Sequence, residues 1–134
     1  MTTPRPDWLP PLTGPLDAKL GIEIVDWDPD RLVGTMPVAG NEQPFGLLHG
    51  GATCTLAESL GSVAGLLHAG PGAGVVGIEL SASHLGAARS GTVTAVCTPV
   101  HRGRTLATFL IAVSDDTGRP TASVRLTCLL RPAR

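Results

Sequence analysis

The spacing of hydrophobic residues in the middle of the chain predicts one long helix. Its apolar positions recur at three- and four-residue steps and therefore share one face. They are Ala52, Leu56, Leu60, Val63 and Leu67, within a helix predicted from Ala52 to His68. A shorter helical turn is predicted from Pro15 to Leu20, where Gly21 ends it.

Alternating or continuously apolar segments predict six strands. They span residues 22–27, 31–38, 76–83, 92–100, 106–114 and 121–131. Turn residues at Ser90-Gly91, Arg102-Gly103 and 115–118 predict that hairpins join the last four strands. The order of elements predicts an α+β fold, in which an antiparallel sheet wraps one long helix. We expect one domain over residues 1–134, with the proline-rich residues 1–14 as an irregular arm.

Composition narrows the class of protein. No apolar stretch reaches the roughly 18 residues of a membrane span, and the first 15 residues carry no apolar signal core. Three cysteines without CxxC spacing favour a reduced, cytoplasmic protein. We therefore expect neither membrane attachment nor secretion.

Charge is distributed unevenly along the chain. Nine acidic and three basic residues lie up to Glu79, whereas seven arginines and only two aspartates follow it. This basic half indicates an anionic ligand or, equally, a solvated arginine face on strands. Nucleic acid is disfavoured because aromatic residues for base stacking make up only 3% of the chain.

Glu58 is the unusual residue of the long helix. It is the only charged residue between Gly50 and Leu67, and it lies away from the apolar stripe. The positions around it are small: Cys54, Thr55, Gly61, Ser62 and Gly65. Small residues predict close approach of a ligand or of another backbone. A lone carboxylate on a buried helix is costly unless it has a task or a partner.

The helix entrance has the chemistry to bind a carbonyl oxygen. Gly50 and Gly51 expose backbone N–H groups without side chains, at the positive end of the helix dipole. Such donors polarise a carbonyl and stabilise an oxyanion. Glu58 lies about 12 Å further along the axis, so a shared reaction implies a second subunit whose helix runs antiparallel. Alternatively, His49-Gly50-Gly51 is only a flexible cap, and Glu58 is a buried residue held by Ser62.

Motifs for dinucleotide binding, serine hydrolysis and metal binding are either absent or lie in the wrong structural context. The segment 72–77 matches GxGxxG, but the helix precedes it and the strand follows it, the reverse of a dinucleotide site. No GxSxG serine elbow occurs, and His49 and Cys54 lack a metal-binding spacing. His68, His84 and His101 are expected to be structural or exposed. We expect no metal and no cofactor.

The pattern Gln43-x5-His49-Gly50-Gly51-x6-Glu58 resembles the active-site segment of hotdog-fold acyl-CoA thioesterases of the phenylacetate-catabolism (PaaI-like) type. It is most similar to the 4-hydroxybenzoyl-CoA thioesterase branch, which carries Glu on the helix. The resemblance implies a sheet wrapped around a central helix. It also implies a homodimer with a continuous sheet and shared active sites, and pairing of dimers into a homotetramer.

The resemblance also implies roles for five residues. Glu58 would attack the thioester carbonyl or activate water, and the N–H of Gly50 from the other subunit would polarise that carbonyl. Gln43 would orient the reacting groups, and His49 would bind the loop or the thioester region. Ser62 would hold the attacking water.

Coenzyme A, as part of the substrate, would contact the basic half of the chain. By resemblance its nucleotide and phosphates would meet Arg104, Thr105, Arg131 and Arg134. One position departs from the family, because Gly86 stands where relatives carry an arginine. Arg89 is the candidate to replace it.

The function that the resemblance implies is hydrolysis of a small aryl- or acyl-CoA to the free acid and CoA. Two alternatives remain at this point: a hotdog-type hydratase or dehydratase, and a non-catalytic acyl-CoA-binding protein. Thiol release from acyl-CoAs would identify the hydrolase, and double-bond absorbance without thiol would identify the hydratase. Binding without either would identify the non-catalytic protein.

Overall fold

The computed structural model describes residues 1–134 as one six-stranded antiparallel sheet with a long helix packed on it. The elements are α1 (Pro15–Leu20), β1 (Glu23–Asp28), β2 (Arg31–Pro37), α2 (Gly50–Ala69), β3 (Gly74–His84), β4 (Thr92–Arg102), β5 (Leu106–Ser114) and β6 (Pro120–Arg131). The strand order is β1-β2-β4-β5-β6-β3. The predicted α+β architecture, an antiparallel sheet around one long helix, is confirmed.

The core lies between α2 and the sheet. Leu56 and Leu60 of α2 are fully buried, as their spacing predicts, and they join a cluster that includes Phe109 and Leu126. Burying such side chains stabilises the fold by about 1.5–3 kcal/mol each. Neither α1 nor α2 combines the length and the hydropathy that a membrane-spanning helix requires.

One predicted connection is wrong. Strand β3 pairs with β6 at one edge of the sheet, whereas β4 lies between β2 and β5. Residues 85–91 therefore cross from that edge to β4, and Ser90-Gly91 is not a hairpin turn. The segment passes beside the loop before α2, because Ala88 O accepts the N–H of Leu48 at 2.8 Å. The predicted hairpins after β4 and after β5 are present.

The glycines of α2 pack on the chain's own sheet. A methyl group on Gly61 would overlap Cδ2 of Leu126, and one on Gly65 would lie 3.0 Å from Cγ1 of Val75. Both glycines are buried. At these two positions the predicted close approach of a ligand or of another backbone is therefore wrong, because side chains of the sheet fill the space. They are small because α2 lies too close to the sheet to leave room for a side chain.

The two edges of the sheet differ. Beside β1, the Thr3 carbonyl accepts the N–H of Trp27, and Leu9 of the same N-terminal arm is buried. Residues 1–14 contain no helix or strand. At the other edge, β3 pairs only with β6, and its Val76 and Ile78 are exposed by 57% and 55%. An open, apolar strand edge of this kind is suited to pairing with another strand.

Candidate active site

At the start of α2 one backbone donor remains free. His49 caps the helix, and its Nδ1 accepts the N–H of Gly51 at 2.8 Å. The N–H groups of Ala52 and Thr53 both donate to the His49 carbonyl. The N–H of Gly50 has no acceptor within the chain. It is therefore available to a ligand, at the helix end where the dipole favours negative charge.

The loop before the helix is held by its own hydrogen bonds. The Gln43 side-chain oxygen accepts the N–H groups of Phe45 and Leu47, the latter at 3.3 Å. The N–H of His49 donates to Asn41 O at 2.8 Å. With its oxygen engaged, Gln43 presents its amide N–H groups as donors. Gln43, which is predicted to orient the reacting groups, is thus itself held in place by the loop.

Gln43 and Gly50 share the wall of a cavity of about 490 Å³. His84, the last residue of β3, lies on the same wall, and its ring Nε2 is 3.0 Å from where a side chain on Gly50 would begin. From the sequence, His84 is expected to be structural or exposed and is given no role in the site. Pairing of β3 with β6 brings it to the helix entrance, and no local sequence signal specifies that pairing.

Glu58 lies in a different cavity, of about 450 Å³, together with Ser62. The carboxylate is exposed in this single chain and makes neither a hydrogen bond nor an ion pair. The expectation of a buried carboxylate is therefore wrong for the isolated chain. One oxygen of Glu58 lies 3.2 Å from where a side chain on Gly77 would begin. Because Gly77 has none, the carboxylate rests against the irregular point of β3 between Gly77 and Glu79.

The thiols beside Glu58 are poor nucleophiles. Burial and the neighbouring Glu58 raise the pKa of Cys54. Burial, reinforced by Glu58 and partly offset by a hydrogen bond from Ser62, raises the pKa of Cys128 to about 11. The thiolate is the reactive form of cysteine, so both groups are protonated and inert near neutral pH. Of the two carboxylates that line this cavity, Asp17 accepts the hydroxyl of Ser59 at 2.6 Å, and Glu58 is the one without a hydrogen-bond partner.

The two halves of the predicted site stay apart within one chain. Gly50 and Gln43 line one cavity, and Glu58 and Ser62 line the other. Gly50 and Glu58 are about 12 Å apart along the axis, too far to act on one carbonyl. His49 stands at the first cavity's edge as the helix cap.

The candidate CoA-binding residues fall at opposite ends of α2. Arg104 lines a cavity of about 380 Å³ with His68, in the last turn of α2, and the Thr105 carbonyl accepts the N–H of Leu130 at 2.8 Å. Arg131 ends β6 nearby, and Arg134 is the exposed last residue. Arg89, by contrast, is an exposed residue directly after Ala88, which lines the cavity that contains Gly50. The ends of this 20-residue helix are about 30 Å apart, so these residues form two groups.

Comparison with known proteins identifies relatives along most of the chain. Residues 45–122 match the family described as the Thioesterase superfamily. The chain is 48% identical over 114 residues to the proofreading thioesterase EntH of Cronobacter turicensis, covering 84% of this chain and 83% of that protein. It is 50% identical over 99 residues to the 1,4-dihydroxy-2-naphthoyl-CoA hydrolase of Escherichia coli K12, covering 73% of each.

A solved structure agrees with these sequence relatives. The crystal structure of a thioesterase from Haemophilus influenzae superposes with a TM-score of 0.84 at 40% identity. The match covers 87% of this chain and 82% of that one. It therefore extends over the sheet and α2 alike.

Proposed function

The chain belongs to the thioesterase superfamily and is a thioester hydrolase with the hotdog fold, and from this premise we propose that it cleaves small aryl- or acyl-CoA esters at a site shared by two subunits. The products would be the free acid and CoA. The reaction needs no cofactor, because water, a carboxylate and an oxyanion donor suffice for it. The name of the E. coli relative, a hydrolase of an aryl-CoA, supports this substrate class.

One observation carries the proposal: the Gly50 N–H and the Glu58 carboxylate are both unpartnered, yet lie in separate cavities of one chain. Each is half of a hydrolytic centre. The N–H of Gly50 would bind the carbonyl oxygen of the thioester. The carboxylate of Glu58, from the other subunit, would attack the carbonyl carbon or take a proton from the attacking water. In both routes the CoA thiolate leaves; after attack by the carboxylate, water cleaves the resulting anhydride to give the free acid and restore Glu58.

The supporting residues follow from their positions. Gln43 would donate its free amide N–H groups to the substrate, and His49 would keep the helix entrance in place by capping Gly51. Ser62 lies one turn after Glu58 in the same cavity, where its hydroxyl can hold the attacking water.

The open edge of β3 supports a dimer. Pairing of this edge with the same edge of a second copy would extend the sheet and cover Val76 and Ile78. It would also bring a second α2 beside the irregular point of β3, against which Glu58 rests. We further propose, from family resemblance, that dimers pair into tetramers. A cytoplasmic location is part of the proposal, and the three free thiols support it.

Complementation between two inactive variants tests the shared site. Glu58→Gln removes the carboxylate, and Gly50→Pro removes the N–H without removing the helix, because proline is tolerated at the first helical position. His49 is already extended at φ −66° and ψ 130°, as a residue before proline must be. The two proteins are purified separately, unfolded together, refolded as a mixture and assayed for thiol release.

In random dimers, half pair one variant with the other, and each such pair regains one intact site. The mixture should therefore recover about a quarter of wild-type activity. Gly50→Ala is the matched control, since it keeps the N–H while adding a methyl group near His84. If the refolded mixture contains mixed dimers but stays inactive, each site belongs to one chain. A fully active monomer would also refute the proposal.

A further inference from the structure

Arg119 joins the β5–β6 turn to the wall of the cavity that contains Gly50. Its Nε lies 3.3 Å from Oδ2 of Asp115, and its Nη2 donates to the carbonyl of Ala87. Asp115 is itself fixed, because its Oδ1 accepts the N–H and hydroxyl of Thr117 and the N–H of Arg119. These bonds lower the pKa of Asp115, so the carboxylate stays charged. The guanidinium is thus held at both ends.

Gly86 lets the segment after β3 lie close to the start of β6, beside the guanidinium. A Cβ there would lie 3.0 Å from Pro120 O and 3.7 Å from Cζ of Arg119. The N–H groups of Leu85 and Gly86 both donate to the carbonyl of Thr121. Residues 85–88, which we name the wall segment, are therefore fixed against the start of β6.

The wall segment also contacts the helix entrance. Ala88 O accepts the N–H of Leu48 at 2.8 Å, and Leu48 immediately precedes the cap residue His49. Residues of the wall segment line the same cavity as Gly50. A continuous chain of hydrogen bonds therefore runs from Asp115 through Arg119 and the wall segment to the loop that begins α2.

We propose that Arg119 is a positioning residue for thioester hydrolysis: it fixes the wall segment and, through Ala88 and Leu48, the direction of the Gly50 N–H. The proposal rests on the proposed function of Gly50. Displacing a positioned donor by about 1 Å can cost about a hundredfold in rate. Arg119 is half exposed and does not itself touch the cavity's reacting position, so we expect a smaller loss.

Kinetics test this role. Arg119→Ala should lower kcat about tenfold with little change in KM, as expected when only an interaction of the transition state is lost. Millimolar methylguanidinium should restore part of kcat by occupying the vacated space over Gly86. Arg125→Ala is the matched control. It removes an exposed arginine of β6 whose side chain makes no hydrogen bond or ion pair, and it should leave kcat unchanged.

Asp115→Asn should cause a smaller loss, and combining it with Arg119→Ala should add nothing, since both break one chain of contacts. A loss of kcat that tracks the unfolded fraction, or that methylguanidinium does not relieve, would overturn the proposal. So would unchanged kinetics.

Amide hydrogen exchange provides a readout that does not depend on activity. In Arg119→Ala the Leu48 amide should exchange at least about tenfold faster, while amides of β4 and β5 keep their protection. Unchanged protection of Leu48 would overturn the positioning role. If the wild type hydrolyses no thioester, the proposed function fails, while the exchange result still decides whether Arg119 holds this loop.

Discussion

Replacing Glu58 by glutamine should separate catalysis from folding. In the chain Glu58 is exposed and has no hydrogen-bond or ion-pair partner, so Glu58→Gln should change the free energy of unfolding by no more than about 0.5 kcal/mol. Loss of a general base costs about 10²–10⁴ in rate. Each factor of ten is about 1.36 kcal/mol, so the barrier should rise by about 2.7–5.4 kcal/mol.

Three measurements check this expectation: thiol release from a panel of acyl-CoAs, urea denaturation, and binding of a non-hydrolysable thioether analogue of the best substrate. Turnover should be lost while stability and analogue binding stay near wild type. Glu23→Gln is the matched control, because Glu23 is an exposed glutamate of β1 without a hydrogen-bond or ion-pair partner for its side chain. Wild-type kcat in Glu58→Gln would show that this carboxylate takes no part in the chemistry.

Three further expectations follow from packing, charge and burial. Gly61→Ala gains about 1 kcal/mol of helix propensity but overpacks the sheet at a cost of about 1–3 kcal/mol, so urea denaturation should show a net loss; added stability would contradict the close packing of α2. Arg104→Ala and Arg131→Ala should raise KM for acyl-CoA but not for acyl-pantetheine, because phosphate contacts bind ground and transition states alike. Equal changes for both substrates would mean that these arginines support the fold. Burial raises the pKa of Cys97 to about 12, so peptide mapping after iodoacetamide treatment at pH 8 should find it unmodified, with Cys54 labelled first. Rapid labelling of Cys97 in the native protein would contradict its burial.

The hydrophobic periodicity predicted where the helices and strands lie, but it did not predict the neighbour of every strand in the sheet. The 3.6-residue period of α2 and the two-residue period of the strands are local properties, so their positions could be predicted to within a few residues. The position of β3 at the edge of the sheet, beside β6, could not be predicted in this way. Turn residues such as Ser90-Gly91 have the same chemistry in a hairpin and in a crossover, and strand pairing is decided by contacts far apart in sequence.

The same limit applies to the candidate site. The spacing from Gln43 to Glu58 lies within one loop and one helix, so the predicted residues could be selected from sequence alone. His84 and Arg119 could not, because the β3–β6 pair brings His84 to Gly50 and the segment after β3 brings Ala87 to Arg119. Small residues on α2 were ambiguous too. A glycine such as Gly61 fits against a sheet or a second helix equally well, until the sheet's position is known.

The pairing of β3 with β6 determines when the site can form during synthesis. Strand β3 emerges from the ribosome right after α2, but its only partner within the chain is the last strand to be made. Until then β3, with its apolar Val76 and Ile78, has no neighbouring strand on either side, and contacts between such distant segments form slowly. The irregular point of β3 at Gly77, against which Glu58 rests, is therefore fixed last. Nascent chains that stop before β6 are the forms most exposed to aggregation and to capture by chaperones.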